Sequence, residues 1–277
     1  MKKDALLERV LADAAALPLV SRLRLRDALK ADAFVEPEAG VRFAAESLSE
    51  FKRARRYSAT GPLAAWLASF GSGDVLFDVG ANTGTVSLLA ARLHGPRLPI
   101  VAFEPAADTF EALVRNVRAN DFAAGIIPLQ LALFDRTGIE PLHRASLGAG
   151  TALHAVGEAT DYTRRPFVPV TVEHVLAFRI DDLIRVCGVP RPTRMKIDVD
   201  GFENKVLAGA VDLLSSGHCE LYTELVEAEA GDPHAQAVAS YLAGFGYQQA
   251  QIHDHHPPGT FPRIFDVLFT KPEPPRP

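Results

Sequence analysis

The amino-acid sequence predicts an α/β protein with a doubly wound, mostly parallel seven-stranded sheet, an antiparallel C-terminal hairpin and an N-terminal helical appendage. Three observations lead to this fold class. From residue 74 onward, short apolar runs alternate with segments of helical spacing. Two further buried strands follow at 194–201 and 219–225, and the last two apolar runs, 245–253 and 263–270, are joined by a short loop. Consecutive strand–helix units form parallel sheets with right-handed crossovers, whereas a short connection makes two strands antiparallel.

The first sixty residues predict helices that precede the sheet. Apolar residues at helical spacing on both sides of Pro18 indicate two short helices within 3–34. We expect residues 1–60 to form an appendage, which is either a lid over the sheet or a helical pair that stabilises the main domain. A third helix ends in a basic run that forms either a solvated face or an anion-binding site. This run consists of Lys52, Arg53, Arg55 and Arg56.

Residues 61–270 form the predicted main domain, which begins with three strand–helix units. Almost sixty residues, 136–193, separate its third and fourth strands, and one crossover helix needs far fewer, so we expect an inserted segment there. The first three strands are predicted at 75–80, 98–105 and 126–135, with helices at 85–93 and near 107–120.

The inserted segment contains one strand and one helix by its sequence pattern. Residues 167–175 alternate as a strand does, and Asp181 and Asp182 precede apolar residues as they do at a helix start. The polar stretch 143–166 is then a loop at the mouth of the sheet, where functional loops concentrate. The tail, 271–277, has four prolines in seven residues, and this composition predicts disorder.

Composition limits the classes of function. The chain has 277 residues, of which 48% are hydrophobic and 23% charged, and its formal net charge is −5. These values indicate one large globular domain with an appendage, and the acidic balance disfavours nucleic acid as a partner. The two cysteines lack the spacing of a zinc site or a disulfide framework. The N-terminus interleaves charged and apolar residues, and no apolar run reaches the ~20 residues of a membrane span. We therefore expect a cytoplasmic protein without a membrane span.

The sequence DVGANTG, at the end of the first strand, predicts a ligand-binding turn. Gly80 and Gly84 allow the backbone to turn sharply and to approach a ligand closely. Asp78 places a carboxylate beside this turn, where it can position a cationic amine. Glu104 ends the second strand, where α/β nucleotide sites keep a carboxylate that accepts two ribose hydroxyls. Together these residues indicate a ligand that contains adenosine.

Missing motifs narrow the choice of ligand. The dinucleotide fingerprint GxGxxG is absent, because Asn82 and Thr85 stand where its second and third glycines would be. The phosphate-binding motif GxxxxGK[ST] is absent as well. A cofactor with ribose hydroxyls, an amino group and no phosphate suits the site best, and S-adenosylmethionine is such a cofactor.

Three motifs in this order, VLFDVGANTGTVS, VAFEP and MKIDVDGFE, resemble the FkbM-type methyltransferases. The resemblance covers roughly residues 74–270 and implies an S-adenosylmethionine-dependent O-methyltransferase of the seven-stranded class. Members of this family act on varied hydroxyls, including those of sugars and polyketides. Asp200 stands where the family often has Glu, which is one methylene longer. The resemblance places Asp78, Gly80, Asn82, Gly84 and Glu104 on cofactor-binding positions.

Carboxylates and histidines at the open end of the sheet are the candidate catalytic residues. Asp198 and Asp200 follow the fourth strand and Glu224 ends the fifth, so all three can face one crevice. They can hold a divalent ion, or one of them can act as a base. Alternatively, Asp198 orients the methionine end of the cofactor. Histidines in the hairpin turn face the same side, and of His253, His255 and His256 we select His253 as a second catalytic candidate beside Asp198. Asp200 and Glu224 are the candidate substrate-facing residues.

The sequence thus predicts an S-adenosylmethionine-dependent O-methyltransferase that acts on a hydroxyl of a small metabolite or glycan precursor. One alternative is a non-catalytic protein that binds an adenosine-containing ligand. Another is an NAD-dependent oxidoreductase, which would need the absent GxGxxG motif. The acceptor, the use of a metal and the oligomeric state stay open at this point.

Overall fold

Ten helices and thirteen strands are assigned in the computed structural model, which describes residues 2–30, 34–35, 40–55, 57–216, 218–257 and 259–272. The helices are α1 (Lys2–Ala16), α2 (Leu19–Lys30), α3 (Leu48–Ala54), α4 (Pro62–Ala68), α5 (Thr85–His94), α6 (Ala107–Ala119), α7 (Ile180–Cys187), α8 (Glu203–Ala208), α9 (Val211–Ser216) and α10 (His234–Ala243). The strands are β1 (Phe34–Val35), β2 (Phe43–Ala44), β3 (Leu76–Val79), β4 (Ile100–Phe103), β5 (Ile126–Leu129), β6 (Ala132–Leu133), β7 (Gly138–Arg144), β8 (Ala155–Val156), β9 (Thr171–Phe178), β10 (Arg194–Ile197), β11 (Glu220–Glu227), β12 (Gln248–Asp254) and β13 (Arg263–Thr270).

The main sheet has seven strands in the order β5-β4-β3-β10-β11-β13-β12. Every pair from β5 to β11 is parallel, whereas β13 is antiparallel to both β11 and β12. The predicted fold class is therefore confirmed, including the antiparallel hairpin. Since β12 runs in the same direction as β11, its carboxyl end lies at the edge where the parallel strands end. Open α/β sheets bind their ligands at this edge.

Helices cover both faces of the main sheet. One layer, α4 to α6, packs in a cluster with Leu76 and Ile100, and the other, α7 to α10, packs with Phe77 and Val101. Neighbouring strand residues point to opposite faces and both faces are buried. This double burial explains why the parallel strands are continuous apolar runs rather than alternating ones.

The predicted third strand, 126–135, is wrong as a single element. Ile126–Leu129 forms the edge of the main sheet, whereas Ala132–Leu133 pairs with β9 in a separate sheet. Leu131 N donates to Leu129 O at 3.1 Å, so the chain bends between the two strands. Both halves are apolar, and an apolar run alone does not reveal a change of sheet.

The inserted segment forms a second sheet of four strands in the order β6-β9-β7-β8. Strand β7 was not predicted, and the strand predicted at 167–175 is found at Thr171–Phe178. The part of the segment that forms this sheet, residues 135–177, begins and ends at neighbouring points, because Phe134 N donates to Phe178 O at 2.8 Å. Helix α7 starts at Ile180, close to the predicted Asp181, but the Asp181 carboxylate caps α9 instead by accepting from Asp212 N and Leu213 N.

The N-terminal part divides into an exposed pair of helices and a segment that joins the core. In α1 and α2 large apolar side chains are exposed, with Leu6 66% and Leu29 69% accessible. Val41 and Phe43 are instead buried in the cluster beneath α4 to α6. The chain thus joins the core well before the boundary predicted at residue 60.

Of the predicted disordered tail 271–277, residues 273–277 lie outside the described residues. Among the described helices, none has both the length and the apolar character needed to cross a bilayer.

Candidate functional site

A cavity of about 700 Å³ lies at the carboxyl ends of the parallel strands. Its floor is formed by the ends of β3, β4, β10 and β11, and its walls come from α3, the inserted segment and the hairpin turn after β12. Six of the predicted site residues line it, namely Gly80, Asn82, Glu104, Asp198, Asp200 and Glu224. The sequence prediction therefore locates the cavity, although it does not identify every residue of its walls.

The turn after β3 packs closely against the end of β10. Gly80 has a φ of +76°, and a Cβ built on it would lie 1.9 Å from the carbonyl oxygen of Asp198. Only glycine allows this approach of two backbones. Gly84 has a different role, since it precedes α5 in the left-handed conformation and a Cβ there would meet Leu113 Cδ1 at 2.6 Å. Gly84 thus permits helix packing behind the turn and does not line the cavity.

Asp78 lies behind the turn rather than on the cavity wall. Its side chain is fully buried, and its Oδ2 accepts hydrogen bonds from Ser87 N at 3.0 Å and Ser87 Oγ at 2.6 Å. Burial raises the pKa of Asp78. Asp78 thus fastens the first turn of α5 to β3 through Oδ2, while its Oδ1 has no hydrogen-bond partner among the described residues.

Glu104 and Asn82 form the wall expected to face a ribose. Glu104 Oε2 accepts from Asn82 N at 3.1 Å, and Oε1 accepts from Ala106 N at 2.9 Å. Each carboxylate oxygen has a second lone pair, so both can still accept a hydroxyl. Burial raises the pKa of Glu104 to about 7. A ligand that donates hydrogen bonds to this carboxylate would favour its ionised form.

A row of charged side chains continues across β10 and β11. Lys196 Nζ donates to Asp198 Oδ2 at 2.8 Å. Burial opposes ionisation of Asp198, but the charge and hydrogen bond of Lys196, together with the charges of Arg53 and His255, hold the pKa of Asp198 below its usual value. The negative charge of Asp198, followed by burial, raises the pKa of Glu224 to about 8. At neutral pH, then, Asp198 carries a charge while Glu224 keeps a proton.

His255 completes this row from the hairpin turn. Its Nε2 lies 3.1 Å from Asp266 Oδ2, and its Nδ1 lies 3.8 Å from Glu224 Oε2. Tyr222 Oη donates to the same Asp266 oxygen at 2.9 Å. The hydrogen bond to Asp266 raises the pKa of His255. Ligand atoms of Glu224, His255 and Asp266 also lie within 4.8 Å of one another, a separation at which they could hold a metal ion.

The structure does not bring His253 into this cluster. Its ring lies 3.2 Å from Gln251 Oε1 on the exposed strand β12, whereas His255 and His256 line the cavity. Strand β12 ends at Asp254, and the two following histidines line the mouth of the cavity while remaining exposed. The position expected for His253 is therefore taken by His255.

Asp200 fastens the inserted segment over the cavity. It has a φ of +52°, and its Oδ2 accepts from Leu153 N at 2.9 Å. Burial, with the nearby charge of Asp198, raises the pKa of Asp200 to about 7. On the opposite wall Asn82 Nδ2 donates to Thr151 O at 2.8 Å. The loop that carries Thr151 and Leu153 is thus tied to both sides of the cavity.

Several residues of this region were not predicted. Lys196 and Asp266 lie within apolar strands, and a charge inside a buried strand is a signal that the sequence does contain. His154 also lines the cavity, and so does Arg53, which the sequence placed in a basic run that either faces solvent or binds an anion. Burial lowers the pKa of His154 to about 4, so its ring is neutral. Only the three-dimensional structure brings these two residues to the site.

Comparison with known proteins gives a consistent result. A family model described as the methyltransferase FkbM domain matches residues 78–249. The hexuronic acid methyltransferase AglP of Haloferax volcanii is 31% identical over 208 residues, which cover 71% of this chain and 78% of that protein. The 31-O-demethyl-FK506 methyltransferase FkbM of Streptomyces tacrolimicus is 31% identical over 160 residues, 50% of this chain and 60% of that protein.

Solved structures resemble the chain more distantly. The crystal structure of a methyltransferase FkbM from Methylobacillus flagellatus shares 18% identity with a TM-score of 0.48, and the match covers 72% of this chain and 44% of that chain.

Proposed function

Because the chain belongs to the FkbM methyltransferase family, we propose that it transfers a methyl group from S-adenosylmethionine to a hydroxyl of a small metabolite or glycan precursor. One observation carries this proposal: a single cavity joins the Gly80 turn and Glu104 on one side to the His255–Asp266 pair on the other. The first side suits a nucleoside ligand, and the second suits proton transfer from a hydroxyl.

The residues present match the chemical groups of S-adenosylmethionine. Glu104 would accept the ribose hydroxyls, and the closely packed turn at Gly80 leaves room beside Asp198 for the amino-acid end. The ionised Asp198 attracts positive charge. Asp78 and Gly84 would act indirectly, by holding α5 and the turn in place. When bound, S-adenosylmethionine supplies a methyl group on a positively charged sulfur atom.

His255 is the residue that we assign to deprotonation of the acceptor. Asp266 accepts a hydrogen bond from His255 Nε2, which leaves Nδ1 to take a proton. Asp198 is a weaker base, because Lys196 holds its pKa below the usual value. Glu224 and Asp200 would contact the acceptor, with Glu224 protonated at neutral pH as a hydrogen-bond donor. The rest of the catalysis is positioning in a cavity from which water is largely displaced.

The comparisons support a hydroxyl of a sugar or natural product as the acceptor. One relative is named as a hexuronic acid methyltransferase and another as a methyltransferase of 31-O-demethyl-FK506. Both names describe multi-hydroxylated molecules rather than nucleic acids.

A panel of sugars, uronic acids and polyketides, assayed for S-adenosylhomocysteine formation, tests the acceptor class. Calorimetry with S-adenosylhomocysteine and with NAD tests the cofactor, since a protein that binds NAD alone would contradict the proposal. Binding of S-adenosylhomocysteine without turnover on any acceptor would favour a non-catalytic binding protein.

We expect Glu104→Ala to weaken binding of S-adenosylhomocysteine about tenfold or more, because two ribose hydroxyls lose a charged acceptor whose hydrogen bonds are worth about 1.5–3 kcal/mol each. Isothermal titration calorimetry measures the change. Glu111→Ala is the matched control, since Glu111 lies on α6 with its side chain 75% accessible. Unchanged affinity in a folded Glu104→Ala protein would show that Glu104 does not contact the ribose.

The raised pKa of Glu104 predicts a pH dependence of cofactor affinity. Ribose hydroxyls donate to the ionised carboxylate, so protonation of Glu104, with its pKa of about 7, competes with binding. Affinity for 5′-methylthioadenosine, which has no titrating amino-acid end, should fall about tenfold from pH 8 to pH 6. The Glu104→Gln variant should bind weakly and lose this pH dependence. A flat profile in the wild-type protein would contradict the ribose assignment.

A further inference from the structure

Arg53 extends into the cavity from a helix outside the family match at residues 78–249. Helix α3 is held firmly against the rest of the molecule. Ser47 caps the helix by accepting from Glu50 N at 3.1 Å, and its hydroxyl donates to Ala149 O at 3.1 Å. Glu50 forms an ion pair with Arg115 of α6. The backbone that carries Arg53 is therefore fixed relative to the cavity.

The guanidinium of Arg53 has no hydrogen-bond or ion-pair partner among the described residues. The side chain is half-buried and lines the cavity. The neighbouring cations behave differently, since Lys196 pairs with Asp198 and Arg115 pairs with Glu50. A half-buried guanidinium that lines a cavity is available to an anion supplied by a ligand, and the charge-assisted hydrogen bonds between them would be among the strong ones.

The charges around the cavity indicate which ligand group this anion is. Four carboxylates line the cavity, those of Glu104, Asp198, Asp200 and Glu224. Together with a single arginine they complement a ligand that has two positive groups and one carboxylate, as S-adenosylmethionine has. The positive charge of Arg53 acts on Glu104 and Asp198, the two carboxylates assigned to the cofactor, and it also acts on His154 and Asp200. On the acceptor side, Asp198 and Asp266 dominate the electrostatics of Glu224 and His255.

We infer that Arg53 binds the carboxylate at the methionine end of the cofactor. This inference rests on the proposed use of S-adenosylmethionine. Arginine presents two parallel N–H donors to a carboxylate, which lysine cannot reproduce. The inference gives the N-terminal segment a role in the site, because α3 would complete the cofactor cavity. The ammonium and sulfonium groups of the cofactor would face carboxylates, and its carboxylate would face Arg53.

Calorimetry on the full chain with two ligands tests this inference. S-adenosylhomocysteine carries the methionine carboxylate, whereas 5′-methylthioadenosine lacks the whole amino-acid end. We expect Arg53→Gln to lose about 10- to 100-fold in affinity for S-adenosylhomocysteine and less than about twofold for 5′-methylthioadenosine. Arg53→Lys should fall between Arg53→Gln and the wild type. Arg55→Gln is the matched control, because Arg55 is exposed at the end of the same helix and should behave as wild type.

Each other outcome has a definite meaning. Equal losses for both ligands in Arg53→Gln would overturn the inference, because they would indicate a general effect on the cavity. Unchanged affinity for S-adenosylhomocysteine would overturn it as well, and a raised KM for acidic acceptors in that variant would assign Arg53 to the acceptor instead. A wild-type protein that binds neither ligand would contradict the proposed function itself. In the expected outcome, the wild type binds both ligands and only the carboxylate-bearing ligand responds to the substitution.

Discussion

Gly80→Ala is expected to abolish detectable binding of S-adenosylhomocysteine and to lower the stability of the protein. The added Cβ would lie 1.9 Å from the backbone oxygen of Asp198, and a backbone atom cannot rotate away as a side chain can. Overpacking of this kind costs about 1–3 kcal/mol, and the left-handed φ of Gly80 costs an alanine about 1–2 kcal/mol more. The clash can be relieved only if the turn moves away from the end of β10. Since both the turn and the end of β10 line the cavity, this movement would change the shape of the cavity. Urea unfolding and calorimetry measure the two effects.

Gly73→Ala separates the steric effect from backbone strain. Gly73 has a φ of +92°, but a Cβ there would meet nothing within 4 Å. This variant should therefore lose about 1–2 kcal/mol of stability and keep wild-type affinity for S-adenosylhomocysteine. A folded Gly80→Ala protein that binds as tightly as Gly73→Ala would show that close packing of the turn on β10 is not needed for the cofactor.

His255→Ala is expected to lower kcat by about 10²- to 10⁴-fold, the contribution of a positioned general base. Affinity for S-adenosylhomocysteine should stay unchanged, since His255 lies on the acceptor side of the cavity. The measurement is steady-state turnover with a hydroxyl acceptor found in the panel described above. His253→Ala is the matched control, because His253 lies on the same hairpin and its ring contacts Gln251 outside the cavity. Equal turnover in the two variants would remove His255 from the mechanism.

Two further measurements identify how His255 acts. A base works in its deprotonated form, so turnover should fall as the pH drops through the pKa of His255, which Asp266 holds above the usual value. Asp266→Asn removes the main cause of this shift, and the acidic limb of the kcat profile should move to lower pH. Loss of turnover on treatment with a chelator, with cofactor affinity retained, would instead indicate a metal ion held by Glu224, His255 and Asp266.

Local sequence signals predicted the strand, turn and helix around Gly80 and the position of Glu104 at the end of β4. In DVGANTG the strand, the turn and the helix follow one another within a few residues. The position of Glu104 follows from the end of the next parallel strand. The bend after Leu129 was missed, because the apolar run continues through Leu133 although the chain changes sheets. Strand β7 was missed since Pro141 interrupts its pattern, while its pairing with the distant β9 depends on tertiary structure.

For the acceptor side, the sequence predicted the location of the site but not which individual residues line the cavity. His253 and His255 are two residues apart, and only the end of β12 at Asp254 decides which of them faces the cavity. The contact of Asp78 Oδ2 with Ser87, nine residues further along in α5, is not revealed by the motif. Arg53 reaches the cavity because α3 docks on α6 and on the inserted segment, and these contacts join residues 65 and 102 positions apart.

The meeting of the two ends of the inserted segment has a consequence for how such enzymes diversify. Because Phe134 N and Phe178 O are hydrogen-bonded, the chain leaves and re-enters the domain at essentially one point. Doubling the length of a loop with fixed ends costs only about 0.6 kcal/mol, so the segment can be lengthened, shortened or replaced without a new register in the main sheet. Residues 135–177 therefore join the main domain at a single point, and a corresponding piece grafted from a relative would have to restore the contacts with Asn82, Asp108 and Asp200 to form a roof over the acceptor.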